Sequence, residues 1–368
     1  MFIDLTKAFD CINHDLLISK LRKLGFSTSF MNLLISYLTD RVQCVEIDKI
    51  KSPFLKIKTG VFQGSKLASI LFLIYVNFIF CVPTFGKLFL YADDIVIVYG
   101  TSDTNELKRQ MEHDLKILKI FFDNHFLKMN GKKTKYLIFN EKAHLQSFTL
   151  PNMQITIENE VIERVSHFSY LGLIIDEELK FNKHVDFVKS KVLPMTFAIK
   201  RIRHLINQKT ANQIYFAHIN SHLLYMNPIW NVAKNSIIET LAVAQRKCLR
   251  IILNKYSFSP NIELYSEKFL PLKVMNEYNL LVLAFKIHHN LIRNNVETPR
   301  ISEVHNYGTR QRDHFYVQAT ATRFGLSNFF KRGLTAFNNL ENRIKRIHNI
   351  GRFKRELKQF LLNKFSRD

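Results

Sequence analysis

Three carboxylates, Asp4, Asp93 and Asp94, are the residues of this 368-residue chain whose type and setting point to chemistry. Asp93 and Asp94 stand in LFLYADDIVIVYG (Leu88–Gly100), between two strand-forming runs, Leu88–Tyr91 and Ile95–Tyr99, where a hairpin would turn. Asp4 stands in MFIDLTKAFD (residues 1–10), which reads as another strand. An isolated Asp-Asp pair is most often a solvated turn. The second carboxylate strand argues against that reading here. Carboxylates gathered on neighbouring strands repel one another and raise each other's pKa, and they normally persist only where a cation neutralises them. Hard oxygen ligands suit Mg²⁺, with Mn²⁺ as a substitute. Two such ions roughly 4 Å apart are the usual clamp for moving a phosphoryl or nucleotidyl group.

FIDLTKAFD and YADD, in that order and about ninety residues apart, resemble the two catalytic motifs of a reverse transcriptase palm. The rest of the chain is similar to the polymerases of non-LTR (LINE-type, jockey-like) retrotransposons. SYLTDRVQ (Ser36–Gln43) and GVFQGSKLASILFLIYVN (Gly60–Asn77) continue the series, the latter as the third motif. LKMNGKKTKYLIF (Leu127–Phe139) resembles the fourth motif, and FSYLGLIID (Phe168–Asp176) the hairpin that holds the primer end. The resemblance implies that Asp4, Asp93 and Asp94 are catalytic metal ligands, joined by the backbone carbonyl of Leu5. One ion would lower the pKa of the primer 3′-hydroxyl while the other neutralises the triphosphate. Phe9 would lie under the incoming sugar and favour deoxynucleotides, although a core phenylalanine explains it as well. Gln63 and Gly64 would meet the incoming nucleotide and template, and Tyr91 and Ala92 the primer end. Lys133 would act near the pyrophosphate as general acid or counter-charge, against an even alternative of a solvated turn lysine. The family usually has Pro at Phe62, Gly-Pro or Ser-Pro at Ala68-Ser69, Asp at Phe78, Trp at Phe337 and Pro at Glu341.

The elements that must position these residues follow from periodicity and punctuation. Leu16, Leu17, Leu21 and Leu24 mark one helix ending at Gly25, and Phe30–Leu38 reads as the next. Arg41–Ile47 and Phe54–Ile57 read as strands. Ser65 can cap a long apolar helix closed by Pro83. Leu107, Met111, Leu115, Leu118 and Phe122 recur at helical spacing and should pack on the sheet. Val188, Val192, Met195, Ile199, Ile202 and Ile206 mark a basic helix that Pro194 should kink or divide. Leu241–Leu253 reads as another, with Gln245, Arg246, Lys247 and Arg250 exposed. The expected fold is α+β. A palm with an antiparallel sheet backed by helices (1–150) leads to a primer-grip-like hairpin (151–185), a helical basic thumb (186–260) and a mostly helical C-terminal extension (261–368), the fingers being largely absent.

Charge sharpens this division. The net charge is +22, yet residues 1–180 hold 22 Lys and Arg against 20 Asp and Glu, whereas residues 181–368 hold 31 against 11. A basic half beside an acidic strand pair fits one module gripping a polyanion while another performs chemistry. The candidate phosphate contacts are Lys189, Lys191, Lys200, Arg201, Arg203, Arg246, Lys247 and Arg250. Phe353, Leu357 and Phe360-Leu361 form an apolar face opposite Lys354, Arg355 and Lys358, which suits packing or RNA binding equally. Four scattered cysteines argue against a disulfide framework and a zinc knuckle, and His288-His289 lacks companion ligands. The most apolar run, Leu67–Val82, is short for a membrane span, so no membrane partner is expected. An intracellular protein, in nucleus or cytoplasm, is the expectation.

The functional expectation is an RNA-directed DNA polymerase acting on an RNA template, a DNA primer and dNTPs, with oligomeric state left open. A truncated or decayed copy that binds nucleic acid without catalysis is the alternative, and the lack of fingers predicts poor polymerisation by this chain alone. A different palm enzyme, such as an RNA-templated RNA polymerase, is opposed by the Ala of YADD, by Phe9 and by the C-terminal half.

Overall fold

Short β-branched and aromatic runs around Asp4 and Asp93 form strands, and the capped apolar periodicities form helices, in a computed structural model that describes residues 1–139, 153–157, 160–292, 298–305, 311–320, 325 and 328–367. The chain divides into two compact units: Met1–Ile138 with Leu145–Leu171, and Phe139–His144 with Gly172–Asp368.

The first unit contains β1 (Phe2–Ile3), β2 (Leu5–Thr6), α1 (His14–Lys23), α2 (Thr28–Leu38), β3 (Val42–Gln43), β4 (Glu46–Ile47), β5 (Ile50–Lys51), β6 (Leu55–Lys56) and α3 (Lys66–Val76). It continues through β7 (Lys87–Tyr91), β8 (Asp94–Val98), α4 (Thr104–Asn124), β9 (Lys128–Met129), β10 (Lys135–Tyr136), β11 (Ile155–Ile157), β12 (Glu160–Arg164) and β13 (His167–Tyr170). Six strands make one sheet in the order β11-β12-β10-β1-β8-β7. Its pairs are antiparallel except β10 with β12, which run parallel. The segment read as a strand at Arg41–Ile47 is instead broken into β3 and β4, each closed by its own hairpin partner, β6 and β5.

Helices α1, α3 and α4 bury one face each into a core with Ile12, Leu17, Leu21, Phe72, Tyr75, Leu118, Phe122 and the sheet residue Ile97, all fully enclosed. Each start carries a side-chain cap, of which Ser65 was legible. Asn13 Oδ1 accepts from Leu16 N, Ser65 Oγ from Leu67 N and Asp103 Oδ1 from Asn105 N, each satisfying an N–H with no partner inside the helix. α3 stops at Val76 rather than at Pro83, and a 3-10 turn, Asn77–Cys81, fills the interval. On the other face of the sheet, Phe2 stacks on Phe168 with ring centres 4.1 Å apart, beside Val96, Leu137 and Tyr170. Among the described residues no helix is long and apolar enough to cross a membrane.

Two buried charged groups hold this frame. Lys20 donates to the carbonyl of Tyr75 at 2.5 Å and lies 4.9 Å from the ring centre of Phe78, so α1 is tied to the end of α3. Burial, helped by the charge of Lys23, lowers its pKa to about 8. Asp114 on α4 is fully enclosed and accepts from Phe85 N at 3.0 Å and Gly86 N at 2.9 Å, which fixes the entry into β7. At Gly86 a Cβ would stand 2.3 Å from Ile97 Cγ2, so only glycine fits that approach. Asp114→Ala would strand two buried N–H groups, and the expected loss is about 3 kcal/mol of stability. It should appear as a lower urea midpoint with an unchanged slope.

The second unit contains β14 (Leu173–Asp176), α5 (Asn182–Ile202), α6 (Gln208–Tyr215), α7 (Asn235–Ile252), α8 (Leu272–His288), α9 (Phe329–Asn338) and α10 (Ile350–Phe365), linked by shorter helical turns. One core runs through it, with Val188, Trp230, Leu249, Phe285, Leu334 and Phe353, so segments 186–260 and 261–368 are packed together. α5 continues undivided through Pro194. Asp176 accepts from Lys180 N at 2.9 Å and Phe181 N at 2.6 Å, closing the turn that leads into α5.

Gln245, expected on the exposed face of α7, is fully buried instead. Its Nε2 donates to Leu270 O at 2.9 Å and Tyr215 Oη at 3.2 Å, and its Oε1 accepts from Leu272 N at 3.1 Å. The amide thereby satisfies an unpaired N–H at the start of α8, a requirement that arises two elements away and leaves no local trace.

Candidate active site

Asp4 lies directly between β1, an inner strand of the six-stranded sheet, and β2, which pairs with β9. Its backbone is held from two sides: Asp4 N donates to Thr134 Oγ1 at 3.3 Å, and Asp4 O accepts from Asn130 N at 2.9 Å. Thr134 is fully buried, and its N and Oγ1 both donate to Asn130 O. The turn carrying exposed Lys133 is therefore fastened to the strand carrying Asp4, and Lys133 N donates to Asn130 Oδ1 at 3.2 Å.

The register of β7 with β8 pairs Tyr91 with Asp94, leaving Ala92 and Asp93 as a two-residue turn. Ala92 takes φ +54, a left-handed conformation that costs a non-glycine residue about 1 kcal/mol or more. β1 pairs with β8 through Phe2↔Val96 and Ile3↔Ile95, so Asp4 continues toward the end at which Asp94 begins its strand. The three carboxylates thus share one end of the sheet. The pKa of Asp94 is raised, first by desolvation and then by the charges of Asp93 and Asp4. The Tyr170 phenol is likewise raised by desolvation and by the Asp94 charge. Tyr170 was legible only as a hairpin residue, and its place beside the carboxylates depends on the packing of β13.

A cleft of about 390 Å³ opens here, lined by Leu5, Lys7, Phe9, Gln63, Gly64 and Asp93 among others. Phe9 stacks on Phe72 with ring centres 4.5 Å apart, so it serves the core and the cleft wall together. Gly64 at φ +83 turns the chain so that Ser65 can cap α3, and Ser65 Oγ also accepts from Tyr37 Oη at 2.9 Å. Phe62 stands edge-on to Tyr37, with Arg41 4.5 Å from its ring centre. Those contacts accommodate a ring where the resembled sequences have proline. Tyr91 is exposed on the hairpin and Ala92 half-buried.

Hard carboxylate oxygens crowded enough to raise a pKa are a donor set that suits a divalent cation. Among the described residues, however, no three His, Cys, Asp or Glu side chains converge as they stand on a point that would hold a metal ion.

In the second unit the eight candidate cations separate into three sets. Lys191, Lys200, Arg201 and Lys247 are exposed, and Lys247 Nζ stands 4.9 Å from the ring centre of Phe197, so α5 and α7 present cations side by side. Lys189 is half-buried. Arg203 donates to Ile252 O, Ile206 O and Gln208 Oε1. Arg246 donates to Glu239 Oε1, and Arg250 to Ser259 O and Asn261 Oδ1. Arg203 and Arg250 thereby tie separate segments of the unit together, while the Arg246 pair lies within α7.

The family described as reverse transcriptase (RNA-dependent DNA polymerase) matches residues 1–175. A probable RNA-directed DNA polymerase from transposon BS of Drosophila melanogaster is 31% identical over 265 residues, 68% of this chain and 28% of that protein. The RNA-directed DNA polymerase from mobile element jockey of the same organism is 23% identical, with the same shares of each chain covered. The probable polymerase from transposon X-element is 25% identical over 277 residues, 73% of this chain and 29% of that protein. The chain thus spans less than a third of the length of these relatives. A solved structure of telomerase from Candida albicans with a fragment of telomeric RNA aligns at 15% identity and a TM-score of 0.30, over 72% of this chain and 45% of that one.

Proposed function

The chain belongs, through residues 1–175, to the reverse transcriptase family in its non-LTR, LINE-type form, and from that premise we propose that it is the palm-bearing part of an RNA-directed DNA polymerase. The observation that carries this reading is the placement of Asp4, Asp93 and Asp94 at one sheet end beside a cleft walled by Phe9, Gln63 and Gly64. Asp4, Asp93, Asp94 and the Leu5 carbonyl would hold two Mg²⁺ ions, which when bound lower the pKa of a primer 3′-hydroxyl and neutralise the triphosphate. The protein's own share is placement. The tight turn at Ala92-Asp93 presents the carboxylates next to Tyr91, where a primer end would rest. Phe9, backed by Phe72, cannot retreat from a sugar lying over it, so a 2′-hydroxyl would clash. Lys133, fastened through Asn130 to the Asp4 strand, offers a cation toward the leaving pyrophosphate. Lys191, Lys200, Arg201 and Lys247 would neutralise phosphates of the template–primer duplex. The RNA template, DNA primer and dNTPs are all part of this proposal, as is the assignment of α5 to α7 as thumb.

The test is primer extension with dNTPs on matched RNA and DNA templates. Extension on the RNA template supports the proposal. Template binding without extension selects the reading of a nucleic-acid-binding copy without catalysis. Phe9→Val should raise ribonucleotide addition relative to deoxynucleotide addition by about tenfold, the effect of relieving one steric clash. An unchanged ratio would leave Phe9 as a core residue only.

A further inference from the structure

Two loops wall the cleft, and they are stapled together by contacts that the reaction itself does not use. One is Lys7–His14, which follows the Asp4 strand. The other is Thr59–Gln63, which precedes Gly64. Gly60 N donates to Ile12 O at 2.8 Å and Val61 N to Phe9 O at 3.0 Å, while Asn13 and Thr59 form an isolated bridge. His14 Nε2 lies 2.7 Å from Gly60 O, and a carbonyl can only accept, so the imidazole carries its proton on Nε2. At Gly60, φ is +91 and a Cβ would stand 2.9 Å from both Cα and O of Asp10. Only a glycine lets the second loop lie on the backbone of Asp10. With Asp10 held there, its Oδ1 accepts from Gln63 Nε2 at 2.9 Å.

We propose that Asp10 is a positioning residue, fixing the side chain of Gln63 for the nucleotide that enters the cleft. An amide side chain is nearly symmetric in shape, and free in water it presents its oxygen or its nitrogen with equal ease. A carboxylate only accepts, so Asp10 selects the rotamer with Nε2 toward itself. Gln63 Oε1 and the second N–H are then left, in a defined order, for the cleft that Gln63 lines with Phe9 and Asp93. Without Asp10 the amide would have to be ordered by the substrate, at a cost in affinity. The inference rests on the nucleotide-polymerising reading of the same cleft.

The test is equilibrium binding of a fluorescent dNTP with Mg²⁺ to the full chain on an RNA template and a DNA primer ended in a dideoxynucleotide. Binding needs no bond to form, so it reads the clasp even where turnover is absent. Extension of an unblocked primer by the parent and by Asp93→Asn separately tests the polymerase reading. Asp10→Ala and Gln63→Ala should each weaken nucleotide affinity by about tenfold, the worth of one charge-assisted hydrogen bond. The double variant should be no weaker than either single one. Asp10→Asn should also weaken affinity, though less than Asp10→Ala, because an amide can present its oxygen or its nitrogen to Gln63 and so holds it in either order, and melting temperature should move little in any of them. The proposal is overturned if Asp10→Ala binds as the parent does, if the two losses multiply, if Asp10→Asn binds as tightly as the parent, or if the parent binds no nucleotide.

Discussion

Asp93→Asn should reduce Mg²⁺-dependent nucleotide addition by roughly 10³-fold while leaving template–primer affinity unchanged. The substitution keeps the size of the side chain and the turn, so the hairpin of β7 and β8 is preserved and only one negative charge is lost. Asp4→Asn should do the same from the neighbouring strand. Addition that survives Asp93→Asn at the parent rate would remove the carboxylates from the chemistry and leave a nucleic-acid-binding protein. Asp94 supplies a readout independent of turnover. Its folded-state pKa is raised, so its proton is held more tightly in the fold than in the unfolded chain. The ionised group therefore disfavours the fold as pH rises toward and through that pKa, and at neutral pH the penalty of desolvation and then of repulsion is fully present. In a chelator at neutral pH, Asp94→Asn should melt higher than the parent, and below pH 4 the difference should vanish. Added Mg²⁺ should then raise the melting temperature of the parent more than that of the variant.

Acid should open the second unit before it protonates most carboxylates. His184 is buried beside Trp230, with ring centres 5.7 Å apart, and its Nδ1 accepts from Ile174 N at 3.3 Å. Burial lowers its pKa to about 4. His288, against Arg300, His289 and His348, is lowered to about 4 as well, first by burial and then by those charges. Above about pH 7.5 both rings are neutral in folded and unfolded chains alike, so stability is complete there. Between that value and pH 4 the unfolded chain takes up protons that the fold refuses, and stability falls with pH. For enclosed His184 the loss is on the order of 2–3 kcal/mol by pH 4. Trp230 is the single tryptophan of the chain and is fully buried in this unit, so its emission reports the opening directly. A red shift should set in near pH 5. His184→Gln should be less stable than the parent at pH 7 yet lose less on acidification. Parallel stability curves for the two would show that His184 stays uncharged for another reason.

Other decisive contacts were written far apart in the chain. Asp114 stands between Met111 and Leu115 on the apolar side of α4, and a carboxylate at such a position is a signal that a buried partner awaits it. Nothing local says that the partners are Phe85 N and Gly86 N. Lys20 gives the same kind of signal, since it lies on the stripe of Leu17 and Leu21, while its acceptor is the Tyr75 carbonyl.

The order and types of residues by themselves marked the family resemblance, the three carboxylates as candidates, the hairpin that carries two of them and the helix start at Ser65. Those features are local, resting on side-chain alternation, a 3.6-residue period, a capping oxygen or a two-residue turn. Only the tertiary structure decided which cations are engaged, since Arg203 and Arg250 are drawn to acceptors in other segments while, among the described residues, Lys200 and Arg201 stay exposed. It also decided that Gln245 turns inward, that β10 runs parallel to β12, and that Asp10 meets Gln63 across fifty-three residues. A polar side chain takes whichever unsatisfied partner the packed core brings within 3 Å, and that partner has no signature in its neighbours along the chain.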